Sequence, residues 1–301
     1  MKAVLIFILI CFTLVNSNAQ DSSVQEQFAM NGYIKGLLSY QIDKGSNTSL
    51  ANQLIHNRLN LKWKPNRHFQ FTTEIRNRLY FGEQIKHISN FSERLRNPNE
   101  YFNLQKSWVN NGQLIAHTNI ERLFADFKKE KWSVRIGRQR INWGIGTTWN
   151  PNDLFNSYNF LDIDYEERPG SDAAKLTLNT STNSSFEIVH SQVKNQKSIT
   201  AAKFGLNVWN YDFQFIAGDF KGNATLGVGW AGNIMDAGFK GEFQYYSKSK
   251  NEKSQLNLVV DLDYMFNNGW YASVGGLYNS NGLNQAPGAN RDGLEKKPGN
   301  P

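Results

Sequence analysis

Apolar and polar residues alternate along most of the chain after residue 27. In residues 54–63, Ile55 and Trp63 fall on one face, while Arg58 and Lys62 fall on the other. A period of two is typical of a β-strand whose two faces meet different surroundings. The pattern predicts thirteen strands and no helix of ten residues or more. The predicted strands cover residues 28–40, 54–63, 69–79, 119–129, 131–139, 171–179, 185–193, 198–208, 210–219, 223–232, 235–247, 255–266 and 269–279.

The connections between these strands differ in length at the two ends. One end has short turns such as 64–68 and 267–268, and the other has longer segments at 41–53, 80–118 and 140–170. Bacterial transmembrane barrels have this asymmetry, with short periplasmic turns and longer outside loops. We therefore predict an all-β, antiparallel transmembrane β-barrel.

Aromatic residues favour the membrane barrel over its main alternative, a soluble β-sandwich or propeller. The chain contains 20 Phe, 12 Tyr and 8 Trp, and many of them lie on apolar faces near strand ends. Outer-membrane barrels carry aromatic girdles where their apolar band meets the interface. Strand-end examples are Trp63, Trp132, Tyr211, Tyr264 and Trp270.

The two ends of the chain differ from the strand region. Lys2, a thirteen-residue apolar run at 3–15 and small residues at Ser17 and Ala19 predict a secretory signal peptide, residues 1–19. The apolar run is shorter than the roughly 20 residues of a membrane-spanning helix. The barrel then covers 20–279, and residues 280–301, rich in Gly and Pro, form an outside loop or tail. Since bacterial single-chain barrels have even strand numbers, we expect either a barrel incomplete at its C-terminus or one hairpin hidden among short connections.

Composition excludes several function classes. The net charge of +7 is too mild to indicate a nucleic-acid partner, and export argues against one. Cys11, the one cysteine, lies in the predicted signal peptide, so the mature chain has no thiol nucleophile. His190 and Ser191 are adjacent on a strand and point to opposite faces. We expect no catalytic residues, no cofactor and no metal, with a barrel enzyme built from loops as the alternative.

Charged residues cluster on the polar faces of the early strands. An arginine or lysine facing lipid costs about 2–4 kcal/mol at the membrane midplane, so these side chains are predicted to point inward. They either attract anions into a pore or form a salt-bridged wall that holds the barrel rigid. Asp261 and Asp263 predict an acidic wall opposite. The predicted pore-lining residues are Arg58, Lys62, Glu74, Arg76, Arg78, Arg122, Asp126 and Arg135.

The long connection at 140–170 is predicted to enter the barrel mouth as a constriction loop. Its aromatic content is too high for a solvated loop, and Pro151 allows one helical turn over 151–155. Aromatic rings beside carboxylates suit sugar binding, but loop packing explains the same residues. A weaker alternative is a Ca²⁺ site at Asp162, Asp164 and Glu166. The predicted constriction residues are Trp143, Trp149, Asn150, Pro151, Asp153 and Phe155.

A resemblance supports this interpretation. Gly137-Arg138-Gln139, Trp143-Gly144 and Asn150-Pro151-Asn152-Asp153 resemble the Gly-Arg-Gln…Trp-Gly…Asn-Pro-x-Asp pattern of porin-like outer-membrane barrels, a group that includes relatives of the alginate-export barrels. The resemblance implies a pore-forming barrel with a loop folded towards its lumen.

Together, these features predict a porin-like channel in the bacterial outer membrane that passes small polar or anionic solutes passively. The first alternative is an export conduit for an acidic exopolysaccharide. The second is a barrel enzyme or surface-binding protein that acts through its outside loops.

Overall fold

The computed structural model describes residues 27–43, 48–87, 91–95, 100–147, 149–156, 169–193, 197–248 and 253–281. The predicted signal peptide, most of the predicted tail and the three carboxylates of the calcium hypothesis lie outside these residues. Those three hypotheses therefore stay predictions.

The described residues form one antiparallel sheet of fourteen strands. Two short helices, α1 (Glu83–His87) and α2 (Phe91–Arg94), follow the third strand. Among the residues that the structure describes, no helix is long and apolar enough to cross a membrane. The strands are β1 (Phe28–Asp43), β2 (Thr48–Trp63), β3 (Phe69–Gly82), β4 (Gln105–Asn110), β5 (Leu114–Lys129), β6 (Trp132–Gln139), β7 (Ser171–Ser181), β8 (Ser184–Gln192), β9 (Ser198–Val208), β10 (Tyr211–Phe220), β11 (Asn223–Ile234), β12 (Ala237–Tyr246), β13 (Gln255–Met265) and β14 (Tyr271–Asn279).

Each of the thirteen predicted strands is present, and β4 is an additional one. It lies inside the connection at 80–118 and pairs with β5 off the main path of the sheet. β4 pairs with residues 115–119 of β5, and β6 pairs with residues 123–129 on the same edge. β4 thus continues the line of β6 after β6 ends. Its six residues are too few to show a clear alternation.

The predicted helical turn after Pro151 is not formed. Residues 151–152 make a turn, in which the Asp153 backbone N–H donates to the Asn150 carbonyl at 3.1 Å. The Asn-Pro-Asn-Asp sequence closes this turn instead of starting a helix.

The two faces of the sheet have opposite polarity, and the polar face is the buried one. Directly opposed pairs such as Arg58 with Arg76 and Asp126 with Arg135 place charged side chains on one face across neighbouring strands. Arg58 and Asp126 are each only 3% exposed. On the other face, Ile34 is 72% exposed and Ile136 59%. We call these the polar face and the apolar face.

The strands connect through short turns at one end of the sheet, which we call the short-turn rim. Its connections include residues 130–131 and 209–210, where Trp209 and Asn210 have φ of 54° and 62°. Aromatic rings of the apolar face pack against each other near this rim, as in the stacked pair Trp63–Phe71 and the tilted pair Phe127–Trp132. The apolar face therefore carries an aromatic band at this end.

The sheet does not close within the described residues. β1 pairs with β2 and β14 pairs with β13, and within the described part of the chain no pairing joins β1 to β14.

Candidate functional site: the inner loop and the polar face

The arginines of β2, β3, β5 and β6 lie on the polar face and are mostly paired with carboxylates. Arg58 forms a salt bridge with Glu74. Arg135 makes a two-point pair with Asp126, at 2.9 Å from Nε to Oδ1 and 2.5 Å from Nη2 to Oδ2. The register thus brings these residues together, and we call them the arginine wall. Its members are Arg58, Glu74, Arg76, Arg78, Arg122, Asp126 and Arg135.

Glu121 joins the arginine wall as an eighth residue, and sequence periodicity does not predict it. Arg122 lies opposite Glu74, but Ile120 lies opposite Ile75, so Glu121 is the extra residue of a β-bulge. The bulge lets Glu121 face the same side as Arg122. Its Oε1 accepts from Arg76 Nη1 at 3.3 Å. A period of two places residue 121 on the apolar face, which is why the pattern misses it.

The arginine wall is not uniformly neutralised. The Arg78 guanidinium lies 5.6 Å from the centre of the Tyr80 ring, and its buried Nε has no hydrogen-bond partner among the residues that the structure describes. Lys62, the remaining predicted pore-lining residue, is solvent-exposed at the end of β2. Among the described residues, the charge of Arg78 is therefore less compensated than that of the salt-bridged Arg58, and Lys62 adds a positive charge at the end of β2.

The connection after β6 folds onto the polar face. We call residues 140–156 the inner loop. Its hydrogen bonds to the sheet reach Glu187 of β8, Gln214 of β10, Glu242 of β12 and Asp261 of β13. Because β8 and β13 are five strand positions apart in the sheet, about 24 Å on a flat sheet, these contacts indicate a sheet that curves around the loop.

Glu242 is the main anchor of the inner loop. Its Oε1 accepts from the backbone N–H groups of Ile145 and Gly146 and from Asn150 Nδ2 at 3.1 Å. Its Oε2 accepts from the Asn152 N–H at 2.8 Å. Glu242 is fully buried, so these four donors replace the water that the carboxylate loses on burial.

Further contacts fix the two sides of the inner loop. Thr147 donates through both its N–H and its hydroxyl to Asp261 Oδ2, at 2.8 and 2.9 Å. Trp143 Nε1 donates to Glu187 at 2.8 Å, and the Trp143 carbonyl accepts from Gln214 Nε2 at 2.6 Å. Carboxylates from three strands therefore hold the loop.

Asn156 fixes the base of the inner loop. Its Oδ1 accepts from the Ile141 N–H at 2.6 Å, and its Nδ2 donates to the Pro169 carbonyl. The Ser171 hydroxyl donates to the Phe155 carbonyl at 2.7 Å. These bonds bring the start and the end of the described loop together beside β7.

The predicted constriction residues are part of the loop's own core. Trp143 and Phe155 pack edge to face at 5.1 Å, and they are only 2% and 1% exposed. Trp149, Asn150, Pro151 and Asp153 are also buried. The rings of Trp143, Trp149 and Phe155 are consequently not available to stack on a sugar. For these three aromatic residues, burial favours loop packing over sugar binding.

Gly144 is required by the close packing of the loop. A Cβ at residue 144 would lie 2.5 Å from the Asn150 Cβ, which is below any normal contact. Asn150 in turn bonds to the Gly146 carbonyl and to Glu242. The Trp-Gly and Asn-Pro-x-Asp parts of the sequence pattern thus pack against each other and present their donors to one carboxylate.

Acidic residues of β12 and β13 also lie on the polar face, several strands along the sheet from the arginine wall. Glu242 and Asp261 hold the loop, and Asp263 pairs with Lys240 at 3.0 Å. Within the described residues, no group of three or more His, Cys, Asp or Glu could hold a metal ion.

Comparisons with known proteins find likeness in structure but not in sequence. No protein-family model matches the chain, and no curated protein matches it significantly. Salmonella typhi OmpF, solved in a complex with daunomycin, is similar with a TM-score of 0.49 and 10% identity, over 84% of this chain and 78% of that one. Acinetobacter baumannii OccAB4 has a TM-score of 0.48 and 10% identity, over 84% and 66%. Pseudomonas aeruginosa OccK5 has a TM-score of 0.47 and 9% identity, over 84% and 63%.

These similar structures are porin-type outer-membrane barrels. The chain spans less than two thirds of the length of OccAB4 and OccK5. At these identities and TM-scores, the likeness assigns no solute and no residue role to this chain. The resemblance to alginate-export barrels stays a prediction.

Proposed function

We propose that this chain is an outer-membrane, porin-like channel that passes small polar or anionic solutes passively. The observation that carries the proposal is the inverted polarity of the sheet: charged residues are buried on the polar face, whereas apolar side chains are exposed on the other. A soluble protein would expose the charged face to water, whereas a membrane barrel exposes its apolar face to lipid. The aromatic band near the short-turn rim fits an interface with lipid headgroups.

The proposed route runs between the arginine wall and the inner loop. The loop is bound to β8 and β10–β13 on one side, and the arginine wall belongs to β2, β3, β5 and β6. A solute passing between them meets the partly exposed Arg78 and Arg135 on one side and the loop surface on the other. Arg140 and Asn142 lie on the exposed surface of the loop and contribute to this passage.

The charge of the wall favours anions over cations. Its arginines outnumber the carboxylates Glu74, Glu121 and Asp126, and Lys62 adds a further positive charge. A ring or wall of basic side chains attracts anions into a narrow pore. The salt bridges also stiffen the wall, so the two interpretations of these residues are compatible.

Planar-bilayer recording of the purified protein tests the proposal. We expect steady ion conductance and, in a KCl gradient, a reversal potential with the sign of chloride preference. The preference should shrink at high salt because mobile ions screen the arginine wall. Protein that inserts into the bilayer but carries no current would contradict the channel and favour a sealed barrel that acts through its loops.

A further inference from the structure

A cavity opens on the polar face between the inner loop and the short-turn rim. Its volume is about 990 Å³, and β7 to β10 form its wall. Ile145 of the inner loop lines it on the loop side. This is within the range of roughly 300–1,000 Å³ found for small-molecule sites.

The side chains that line the cavity are mainly neutral amides and hydroxyls. Asn179, Ser185, Asn207 and Gln214 are among them. Asn207 Nδ2 and Gln214 Nε2 already donate to Asp212 and to the Trp143 carbonyl, so these two amides offer mainly their oxygens. The Asn179 amide and the Ser185 hydroxyl can both donate and accept hydrogen bonds. A solute hydroxyl does the same, so the wall is matched to hydroxyl groups.

Two of the charged residues in the cavity, Lys203 and Asp212, have partners in the protein. Lys203 Nζ lies 3.6 Å from Glu187 Oε1, and Asp212 Oδ1 accepts from Asn207 Nδ2 at 2.7 Å. Lys131 lines the cavity at the short-turn rim, where it is exposed to solvent. Asp212 is exposed at the same rim and keeps its negative charge, because a neutral amide does not compensate it. Among the described lining residues, the uncompensated charges Lys131 and Asp212 therefore lie at this mouth.

We propose that this cavity binds an uncharged, polyhydroxylated solute of about disaccharide size. Hydroxyls of the solute bond to the amides and hydroxyls of β7 to β10, and the apolar Ile145 side chain meets its C–H surface. The proposal rests on the channel function and deepens it, since the cavity would be a binding position on the solute's route. The cavity differs from the arginine wall because it favours neutral solutes over anionic ones.

Protection of a cysteine from modification tests the site directly. Ser185→Cys places a thiol in the cavity, in a Cys11→Ser background that removes the chain's one native cysteine. Ser273→Cys, on the polar face of β14 and outside the cavity lining, is the matched control. Each variant is treated in detergent micelles with a small neutral thiol reagent, with and without about 100 mM sucrose.

We expect sucrose to slow modification of Ser185→Cys about tenfold for a dissociation constant near 10 mM, because protection follows 1 + [L]/Kd. Modification of Ser273→Cys should not change, which excludes an effect of viscosity. Adding Asn179→Leu, at an exposed side chain of the lining, should weaken binding about fivefold through a lost hydrogen bond. The protection would then fall to roughly threefold.

Three results would overturn the site. They are the absence of protection at Ser185→Cys, equal slowing at Ser273→Cys, and protection by potassium gluconate as strong as that by sucrose, which would make it an anion site. The experiment needs no ion current, so it separates the two proposals. Protection without bilayer conductance would support the binding site and contradict the channel. Bilayer conductance without protection would support the channel and contradict the binding site.

Discussion

Arg138 and Asp172 form a two-point ion pair where β6 ends and β7 begins, with Nε to Oδ1 at 2.9 Å and Nη2 to Oδ2 at 3.0 Å. The remaining N–H groups of Arg138 donate to Glu100 and to the carbonyls of Ile120 and Phe102. The backbone N–H groups of Tyr101 and Phe102 also donate to Asp172. All five guanidinium donors are therefore used at the junction of β5, β6, β7 and the segment that leads into β4.

Replacing Arg138 by lysine should destabilise the protein. Lysine keeps the charge but cannot form the two-point pair or supply five donors. Breaking a buried ion pair of this kind leaves Asp172 and Glu100 undersatisfied, at a cost of about 3 kcal/mol. Guanidinium unfolding in detergent, followed by tryptophan fluorescence, should show a lower midpoint. Arg140→Lys, at an exposed residue of the same segment, should leave the midpoint unchanged; equal midpoints for the two variants would show that the junction does not need the guanidinium.

Alternation alone predicts most of the sheet, because each strand meets two different surroundings and thus carries two different faces. It also assigns Arg58, Asp126 and Arg135 correctly to one face. Glu121 is missed since one inserted residue reverses the alternation in β5. β4 is missed because its six residues are too few for a period to show.

The inner loop shows a second limit of sequence analysis. Its aromatic residues predict burial, and Trp143 and Phe155 are indeed buried. The partner that anchors it, Glu242, lies about 90 residues further along the chain and looks like any other polar position of a strand. Spacing cannot connect the two, since their contact depends on the curvature of the sheet.

Gly144→Ala should loosen the inner loop. The added methyl group would overlap the Asn150 side chain, which must then leave Glu242 or the Gly146 carbonyl. Trypsin should then cleave after the exposed Arg140 several times faster than in the native protein, because a released segment can adopt the extended conformation that a protease active site binds. Gly276→Ala is the control because no atom of the described part of the chain lies within 4 Å of its added Cβ. Unchanged cleavage in Gly144→Ala would mean that the loop tolerates the methyl group.

Arg78→Glu should shift ion selectivity towards cations. Arg78 is the wall arginine with an unsatisfied Nε, so its charge is less compensated than that of Arg58, which is bridged to Glu74. The reversal potential in a KCl gradient should move towards the potassium value, and the shift should fall as salt rises from about 0.1 to 1 M because the Debye length shortens from about 10 to 3 Å. Lys129→Glu makes the same charge change at an exposed residue of the short-turn rim and should shift the potential less. Equal shifts in both variants would place the selectivity outside the arginine wall.

Glu242→Gln should release the inner loop from the polar face. The carboxylate accepts three hydrogen bonds at Oε1 and one at Oε2, and an amide offers only one oxygen to them. At least one buried donor of the loop then loses its acceptor, and the others lose a charged one, which weakens docking by about 2–3 kcal/mol. Single-channel conductance should rise and its fluctuations should increase, since the loop no longer holds a fixed position across the passage. Asp236→Asn removes a carboxylate at an exposed turn residue and should keep the native conductance. Equal conductance of Glu242→Gln and Asp236→Asn would leave two explanations: the loop stays docked through Asp261 and Glu187, or it does not narrow the route. Trypsin cleavage after Arg140 separates them, because only a released loop is cleaved faster.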